Sequence, residues 1–242
     1  MKGEALRNAM VILGVMGLAS GGLAEESTGD PKRVMLLIGG AYHDFKRNTV
    51  TLVDALEQGS GLDIVTLTTK GKSWLTDDEL AKFDAVMLYT QGGRLSEAEE
   101  AALVRAVEGG KGFVAIHEAT TSFSGKAAYQ AMLGGQGERK LTMRDLEATV
   151  VGDGPIVVGV AETFAIKDEV LPRTGLAESG ATVLVQAKAA GSETVYPVAW
   201  TRTHARGRVF VTTLGHAKPA IEHEAFQTLI RQGLKWVLEG GK

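Results

Sequence analysis

Mostly apolar runs alternate with amphipathic segments in the first half of the chain. Four runs have the length of strands and end in glycine or polar residues; they cover residues 33–40, 62–68, 83–93 and 112–117. Between them, residues 48–61 and 96–110 carry apolar side chains at helical spacing, and Ser96 is placed to cap the second of these helices. Continuous buried strands that alternate with amphipathic helices predict parallel βαβ units in a doubly wound α/β sheet.

The second half of the chain has a different pattern. Between residues 141 and 200 the apolar runs are short and β-like, and few helical segments separate them. Residues 200–216 predict two strands joined by a turn at 204–207, and residues 224–240 predict an amphipathic final helix. We therefore expect one mainly parallel sheet with a β-rich C-terminal extension.

The N-terminus has the pattern of a secretory signal. Lys2 and Arg7 precede an apolar stretch over residues 9–24, and Gly22 and Ala24 satisfy the small-residue rule for cleavage after Ala24. An uncleaved membrane anchor is the alternative. The predicted organisation is a signal peptide over residues 1–24, a short linker over 25–31 and one domain over 32–240. A cleaved signal implies a periplasmic or secreted protein with no stable membrane association.

Charge and cysteine content exclude several functions. The formal net charge is -3, so no electrostatic argument favours binding to nucleic acid or to anionic lipid. The chain contains no cysteine, which excludes disulfides, thiolate zinc sites, iron–sulfur clusters and cysteine nucleophiles. Remaining candidates for chemistry are imidazoles and carboxylates.

Three of the five histidines follow predicted strands. His43 comes after the first strand, His117 ends the fourth, and His216 ends the last. Because a parallel sheet gathers ligands at the carboxyl ends of its strands, the three imidazoles are expected along one edge. Imidazoles at such an edge suit proton transfer near neutral pH, and they equally suit a divalent metal such as zinc. The residues do not decide between these, so the cofactor stays open.

Neighbouring residues supply further candidates. Tyr42 could contact a substrate beside His43, and Glu118 either orients His117 or is a solvated carboxylate in a first helical turn. The turn Gln91-Gly92-Gly93 could present backbone N–H groups to a polar ligand, or be a plain tight turn.

Several stretches occur in an order that resembles a known family. They are GGAYHDF, YTQGG, GKGFVAIHEATTSF, YQAMLGG, FAIKDEV, YPVAWTRTHARGRVFVTTLGH and FQTLIRQGLKWV. Over roughly residues 32–240 the chain resembles the trehalose-utilisation (ThuA-like) family. The resemblance implies a flavodoxin-like fold similar to class I glutamine amidotransferases, and a role in the use of sugars and disaccharides. It also marks Asp168 and Glu169 as a family pair that could bind substrate; a solvated loop is the alternative.

The resemblance implies that His117 stands at a position that carries out catalysis in related enzymes. In the amidotransferases the corresponding turn carries a nucleophilic cysteine, which this chain lacks, so it is not a glutamine amidotransferase. We expect an exported protein of disaccharide or keto-sugar metabolism, an isomerase, lyase or hydrolase that uses His43, His117, Glu118 and His216. Its partner is a small sugar, and a homo-oligomer is compatible with the sequence. The alternative is a non-catalytic carbohydrate-binding module.

Overall fold

The computed structural model describes residues 30–41, 43–138 and 141–240. The predicted signal peptide, most of the linker and Tyr42 lie outside the described residues. The strands in chain order are β1 (Arg33–Gly39), β2 (Asp63–Thr68), β3 (Ala85–Thr90), β4 (Gly112–Ile116), β5 (Gln136–Gly137), β6 (Leu141–Val150), β7 (Thr163–Val170), β8 (Arg173–Thr174), β9 (Thr182–Ala189), β10 (Val195–His204) and β11 (Gly207–Thr212). The α-helices are α1 (Phe45–Glu57), α2 (Asp77–Leu80), α3 (Glu97–Glu108), α4 (Ala127–Leu133), α5 (Lys218–Ile221) and α6 (Glu224–Leu238).

One large mixed sheet carries the fold. Among the described residues it has nine strands in the order β2-β1-β3-β4-β11-β10-β9-β6-β7, and β5 pairs with β8 in a separate two-stranded sheet. The first five strands in this order are all parallel to their neighbours, which confirms the predicted parallel arrangement of β1 to β4. From β11 to β7 every pairing is antiparallel, which confirms the β-rich extension.

Helices cover both faces of the parallel part. Side chains on β1 alternate between two hydrophobic clusters, because successive residues of a strand point to opposite faces. Leu36 packs in the cluster that includes Leu52 of α1 and Phe226 of α6, whereas Met35 packs with Leu103 of α3 and Met132 of α4. Burial on both faces explains why these strands read as continuous apolar runs rather than as alternating ones.

Local sequence signals set the helix ends. Ser96 and Glu99 form a capping box at the start of α3, as the sequence predicts. Asp44 caps α1 by accepting a hydrogen bond from the Arg47 N–H, and the His223 side chain accepts from the Ala225 N–H at the start of α6. Within the part of the chain that the structure describes, no helix has both the length and the apolar character needed to cross a bilayer.

The end of the last strand differs from the sequence prediction, which expected His216 to end it, whereas His43 follows the first strand as predicted. β1 ends at Gly39 and β11 at Thr212, so His43 and His216 lie four residues beyond their strands. Only His117 follows its strand directly. Two of the imidazoles are therefore placed by loops, because glycine and polar residues end the sheet pairing before the histidine is reached.

Candidate functional site

His117 occupies a sharp turn between β4 and a short 3-10 helix over His117–Thr120. Its backbone φ is 54°, in the left-handed region that only a few per cent of residues other than glycine adopt. Such a conformation costs about 1–3 kcal/mol and tends to persist at functional sites. A strand that ends in a strained turn is also how α/β-hydrolases present their nucleophile. Here the turn presents an imidazole.

The His117 side chain is completely buried and held in one tautomer. Its Nδ1–H donates to the carbonyl oxygen of Thr213 at 2.9 Å, which leaves a lone pair on Nε2. Burial lowers the pKa of His117 to about 3, and the Thr213 carbonyl opposes this shift only in part. His117 is therefore a neutral imidazole that accepts at Nε2 across the physiological pH range.

His43 forms a histidine–carboxylate pair with Glu118. The His43 Nε2–H donates to Glu118 Oε2 at 2.7 Å, and side-chain exposure is 2% for His43 and 7% for Glu118. The Glu118 carboxylate is thus buried rather than solvated, and the ring that it orients is that of His43, from a different loop. The His43 ring also packs edge-on against Phe45, the first residue of α1.

His216 is the member of the cluster that solvent reaches most easily. Its side chain is 21% exposed, against 0% for His117 and 2% for His43. The preceding Gly215 has a φ of 114°, and a Cβ there would stand 3.2 Å from Ile116 and from Phe226. Glycine at position 215 therefore permits the turn that brings His216 back over the end of β4.

The three imidazoles meet as the sequence predicts. Ring centroids are 5.1 Å apart for His43 and His117, 4.7 Å for His43 and His216, and 5.1 Å for His117 and His216. One ring nitrogen from each residue lies within 4.8 Å of the other two. Since each histidine comes from a different loop or turn, the cluster forms only when β1, β4 and β11 are assembled in the sheet.

The carboxylate of Glu169 joins this cluster. Its Oε2 lies 3.2 Å from His216 Nδ1 and 3.6 Å from His117 Nε2, and its side chain is 9% exposed. Glu169 belongs to β7, the strand at the far edge of the sheet, yet it reaches the end of β11. A solvated loop, the alternative raised by the sequence, does not describe this residue.

Asp168 lies behind the cluster and holds its backbone. One carboxylate oxygen accepts from the Gly215 N–H at 2.7 Å, and the other accepts from the Glu169 N–H at 2.7 Å and the His216 N–H at 3.2 Å. Burial raises the pKa of Asp168 to about 7, although the three N–H donors oppose the shift. Both oxygens are directed at the backbone, so Asp168 is placed to position His216 and Glu169.

The glycine turn after β3 lies beside the loop that carries His43. Gln91 Oε1 accepts from the Ala41 N–H at 3.3 Å, and Gly92 and Gly93 have φ values of 64° and 90°. Gly92 and Gly93 are exposed, so their role as ligand-binding N–H groups stays a prediction.

Sequence reasoning missed two residues that support the site. Tyr89, at the end of β3, donates from its hydroxyl to the Gly215 carbonyl at 2.8 Å and accepts from Asn48 Nδ2 at 3.0 Å. Both side chains are buried. A tyrosine inside an apolar run directly before a predicted turn was the one available signal, because a buried phenol needs a polar partner.

A polar groove runs next to the cluster, between the starts of α1 and α5. Its volume is about 720 Å³, which falls in the range of small-molecule sites. Its lining includes Asp44, which follows His43, and Lys218, which comes two residues after His216. The groove thus touches the loops that carry His43 and His216, but none of the three histidines lines it.

One family model and two solved structures that match the chain are all described as ThuA or ThuA-like. The family model described as "ThuA: Trehalose utilisation" matches residues 33–237. A ThuA-like protein from Parabacteroides merdae aligns with a TM-score of 0.74 and 20% identity, over 87% of this chain and 91% of the other. A ThuA-like protein from Bacteroides uniformis aligns with a TM-score of 0.73 and 16% identity, over 89% and 95%.

More distant structures share the fold. A protein described as one component of a GMP synthase, from Thermoplasma acidophilum, aligns with a TM-score of 0.55 and 12% identity, over 86% of this chain and 94% of the other. No curated protein sequence matches the chain. At these identities the structural likeness concerns the fold alone.

Proposed function

The chain belongs to the trehalose utilisation (ThuA) family, which is similar in fold to the glutamine amidotransferases, and from this premise we propose that it is an enzyme of carbohydrate utilisation acting at its histidine cluster. The proposed substrate is a small sugar, a disaccharide or its keto form. One observation carries the proposal: three imidazoles from separate loops meet with ring centroids 4.7 to 5.1 Å apart at the carboxyl edge of the sheet.

Buried imidazoles favour an enzyme over a binding module. Carbohydrate-binding sites rely on aromatic faces and amides, whereas this cluster consists of imidazoles and carboxylates. Burying such groups is costly, and the left-handed backbone at His117 adds strain. A site built only to hold a sugar requires neither buried imidazoles and carboxylates nor a strained backbone.

The residues suggest a division of roles. The His43–Glu118 pair has the arrangement in which a carboxylate orients an imidazole, so His43 is the proposed proton-transfer group. His117, neutral and fixed by Thr213, accepts through Nε2. His216 has the most exposed side chain of the three histidines, so the proposed substrate would enter from its side.

A substrate screen tests the proposal. Purified protein is incubated in D₂O with disaccharides and their keto forms, and products and carbon-bound deuterium are followed by NMR. Turnover that His43→Gln abolishes, and that the remote variant His204→Gln retains, supports the enzyme. Saturable binding with no product or exchange for any sugar supports the binding module instead.

Export is a separate part of the proposal. The segment up to Ala24 is proposed as a cleaved signal, which would place the mature protein in the periplasm or outside the cell. Mass spectrometry of protein from the periplasmic fraction is expected to give an N-terminus near Glu25. Intact Met1 in that fraction would contradict cleavage, and light scattering of the same sample tests self-association.

A further inference from the structure

Three donor atoms of the cluster form a small triangle. His117 Nε2 and His216 Nδ1 are 3.2 Å apart, Glu169 Oε2 is 3.2 Å from His216 Nδ1, and it is 3.6 Å from His117 Nε2. Zinc ligands at about 2.0–2.2 Å in tetrahedral geometry stand roughly 3.3–3.5 Å from one another. The triangle therefore has the dimensions of one face of a tetrahedral metal site.

Two of the three atoms in this triangle bring lone pairs rather than protons. The proton of His117 is on Nδ1, where it is donated to Thr213, so Nε2 brings only a lone pair. Glu169 Oε2 brings lone pairs as well. Among the three atoms, only His216 Nδ1 can carry a proton, and it does so in one of the two tautomers of the ring. A divalent cation would satisfy all three atoms at once.

The surroundings fit a metal centre too. Metal-bound histidines usually donate their second N–H to a carbonyl or a carboxylate, which fixes the ring. His117 donates to the Thr213 carbonyl, and His43 donates to Glu118. His216 has its backbone N–H held by Asp168. Hydrogen bonds thus hold the rings of His117 and His43 and the backbone of His216.

We propose that His117 Nε2, His216 Nδ1 and Glu169 Oε2 are the three protein ligands of a divalent transition-metal ion, with zinc as the first candidate and a fourth position that is left for water or substrate. Nitrogen-rich donor sets favour zinc and its neighbours over magnesium and calcium. One ring nitrogen of His43 lies within 4.8 Å of those of His117 and His216, so His43 stands beside the proposed metal site and keeps its role as the proton-transfer group. The inference deepens the proposed function, because it concerns the same histidine cluster.

Metal binding can be measured without any substrate. The purified chain is treated with chelator, desalted and titrated with Zn²⁺ by calorimetry, and bound metal is counted by mass spectrometry. We expect one Zn²⁺ per chain, and a rise in Tm on adding metal. Co²⁺ in place of Zn²⁺ is expected to give the intense visible bands of a tetrahedral site. A folded, metal-free chain that binds neither ion at micromolar concentration would overturn the inference.

Two variants identify the ligands. His216→Ala and Glu169→Gln are each expected to weaken Zn²⁺ binding by at least about 100-fold, as loss of a direct ligand should exceed the 10–100-fold effect of outer residues. Glu169→Gln keeps the size of the side chain, and His216 is partly exposed, so both should fold; circular dichroism checks this. His204→Gln is the matched control, because His204 lies at the end of β10 and contacts Glu108 instead.

The outcomes separate the metal from the carbohydrate. Zinc bound equally by wild type, Glu169→Gln and His216→Ala would contradict the ligand assignment, as would an equal loss in His204→Gln. If Glu169→Gln keeps its zinc but loses sugar turnover, the metal inference fails and the proposed function survives. If zinc binds as expected and no sugar is converted, the proposed function fails and the metal centre stands.

Discussion

Replacing Tyr89 with phenylalanine removes one oxygen atom from the support of the His216 loop. The Tyr89 side chain is completely buried, and its hydroxyl links two elements. It donates to the Gly215 carbonyl at 2.8 Å and accepts from Asn48 Nδ2, on α1, at 3.0 Å. Tyr89→Phe therefore leaves a carbonyl and an amide without this partner, in a region that excludes water.

The expected cost follows from the number of polar groups affected. Each buried neutral group that loses its hydrogen-bond partner costs about 1–2 kcal/mol, in the lower part of the general range. With two such groups, Tyr89→Phe should lower the free energy of unfolding by about 2–4 kcal/mol, on the scale of measured buried hydrogen bonds. For a chain of this size that corresponds to a fall in Tm of roughly 4–16 °C.

Tyr129→Phe is the matched control. Tyr129 is also completely buried, and its hydroxyl donates to the Ala119 carbonyl at 2.7 Å. One orphaned carbonyl predicts a loss of about 1–2 kcal/mol. Both variants are compared with wild type by urea unfolding followed by circular dichroism, and Zn²⁺ affinity is measured on the folded proteins. Only Tyr89→Phe should also weaken Zn²⁺ binding, by about tenfold, because Gly215 precedes the ligand His216.

Equal destabilisation of the two variants would refute the reasoning, because the bridge to Asn48 would then contribute nothing. A Tyr89→Phe protein with wild-type stability would refute it more directly. If stability falls as expected while zinc affinity is unchanged, Tyr89 supports the fold but does not position His216.

The remaining predictions concern pH, the strained turn and a helix cap. Burial raises the pKa of Tyr89 and Tyr129 above the usual value of about 10, so stability is fully present below that pH. As pH rises further the unfolded state loses these protons first, and each tyrosine lowers stability by up to about 1.4 kcal/mol per pH unit. Tyr89→Phe should therefore make the fall less steep in urea titrations between about pH 9.5 and 11.5. His117→Asn, which tolerates the left-handed backbone, should abolish turnover and keep a Tm above that of His117→Ala; the reverse order of Tm would contradict strain at this turn. Ser96→Ala removes the capping box of α3 and should cost about 1 kcal/mol with no change in metal binding, and a change in metal content would show that α3 is coupled to the site.

The parallel core follows from the sequence because its signals are local. Met35 and Leu36 belong to a continuous apolar run, and both faces of β1 must therefore be covered. Ser96 and Glu99 mark the start of α3 through contacts three residues apart. The order of the parallel strands then brings the ends of β1, β4 and β11 to one edge, which is why His43, His117 and His216 could be grouped from the sequence.

Only the tertiary structure decided what these histidines contact. Glu169 reaches His216 from β7, the edge strand that lies four positions from β11 in the order of the sheet. Glu118 pairs with His43, 75 positions away, since the turn at His117 directs neighbouring side chains to different partners. Such contacts depend on how the extension packs and on a single left-handed residue. No local pattern of apolar and polar positions encodes either, whereas the same pattern suffices to place strands and helices.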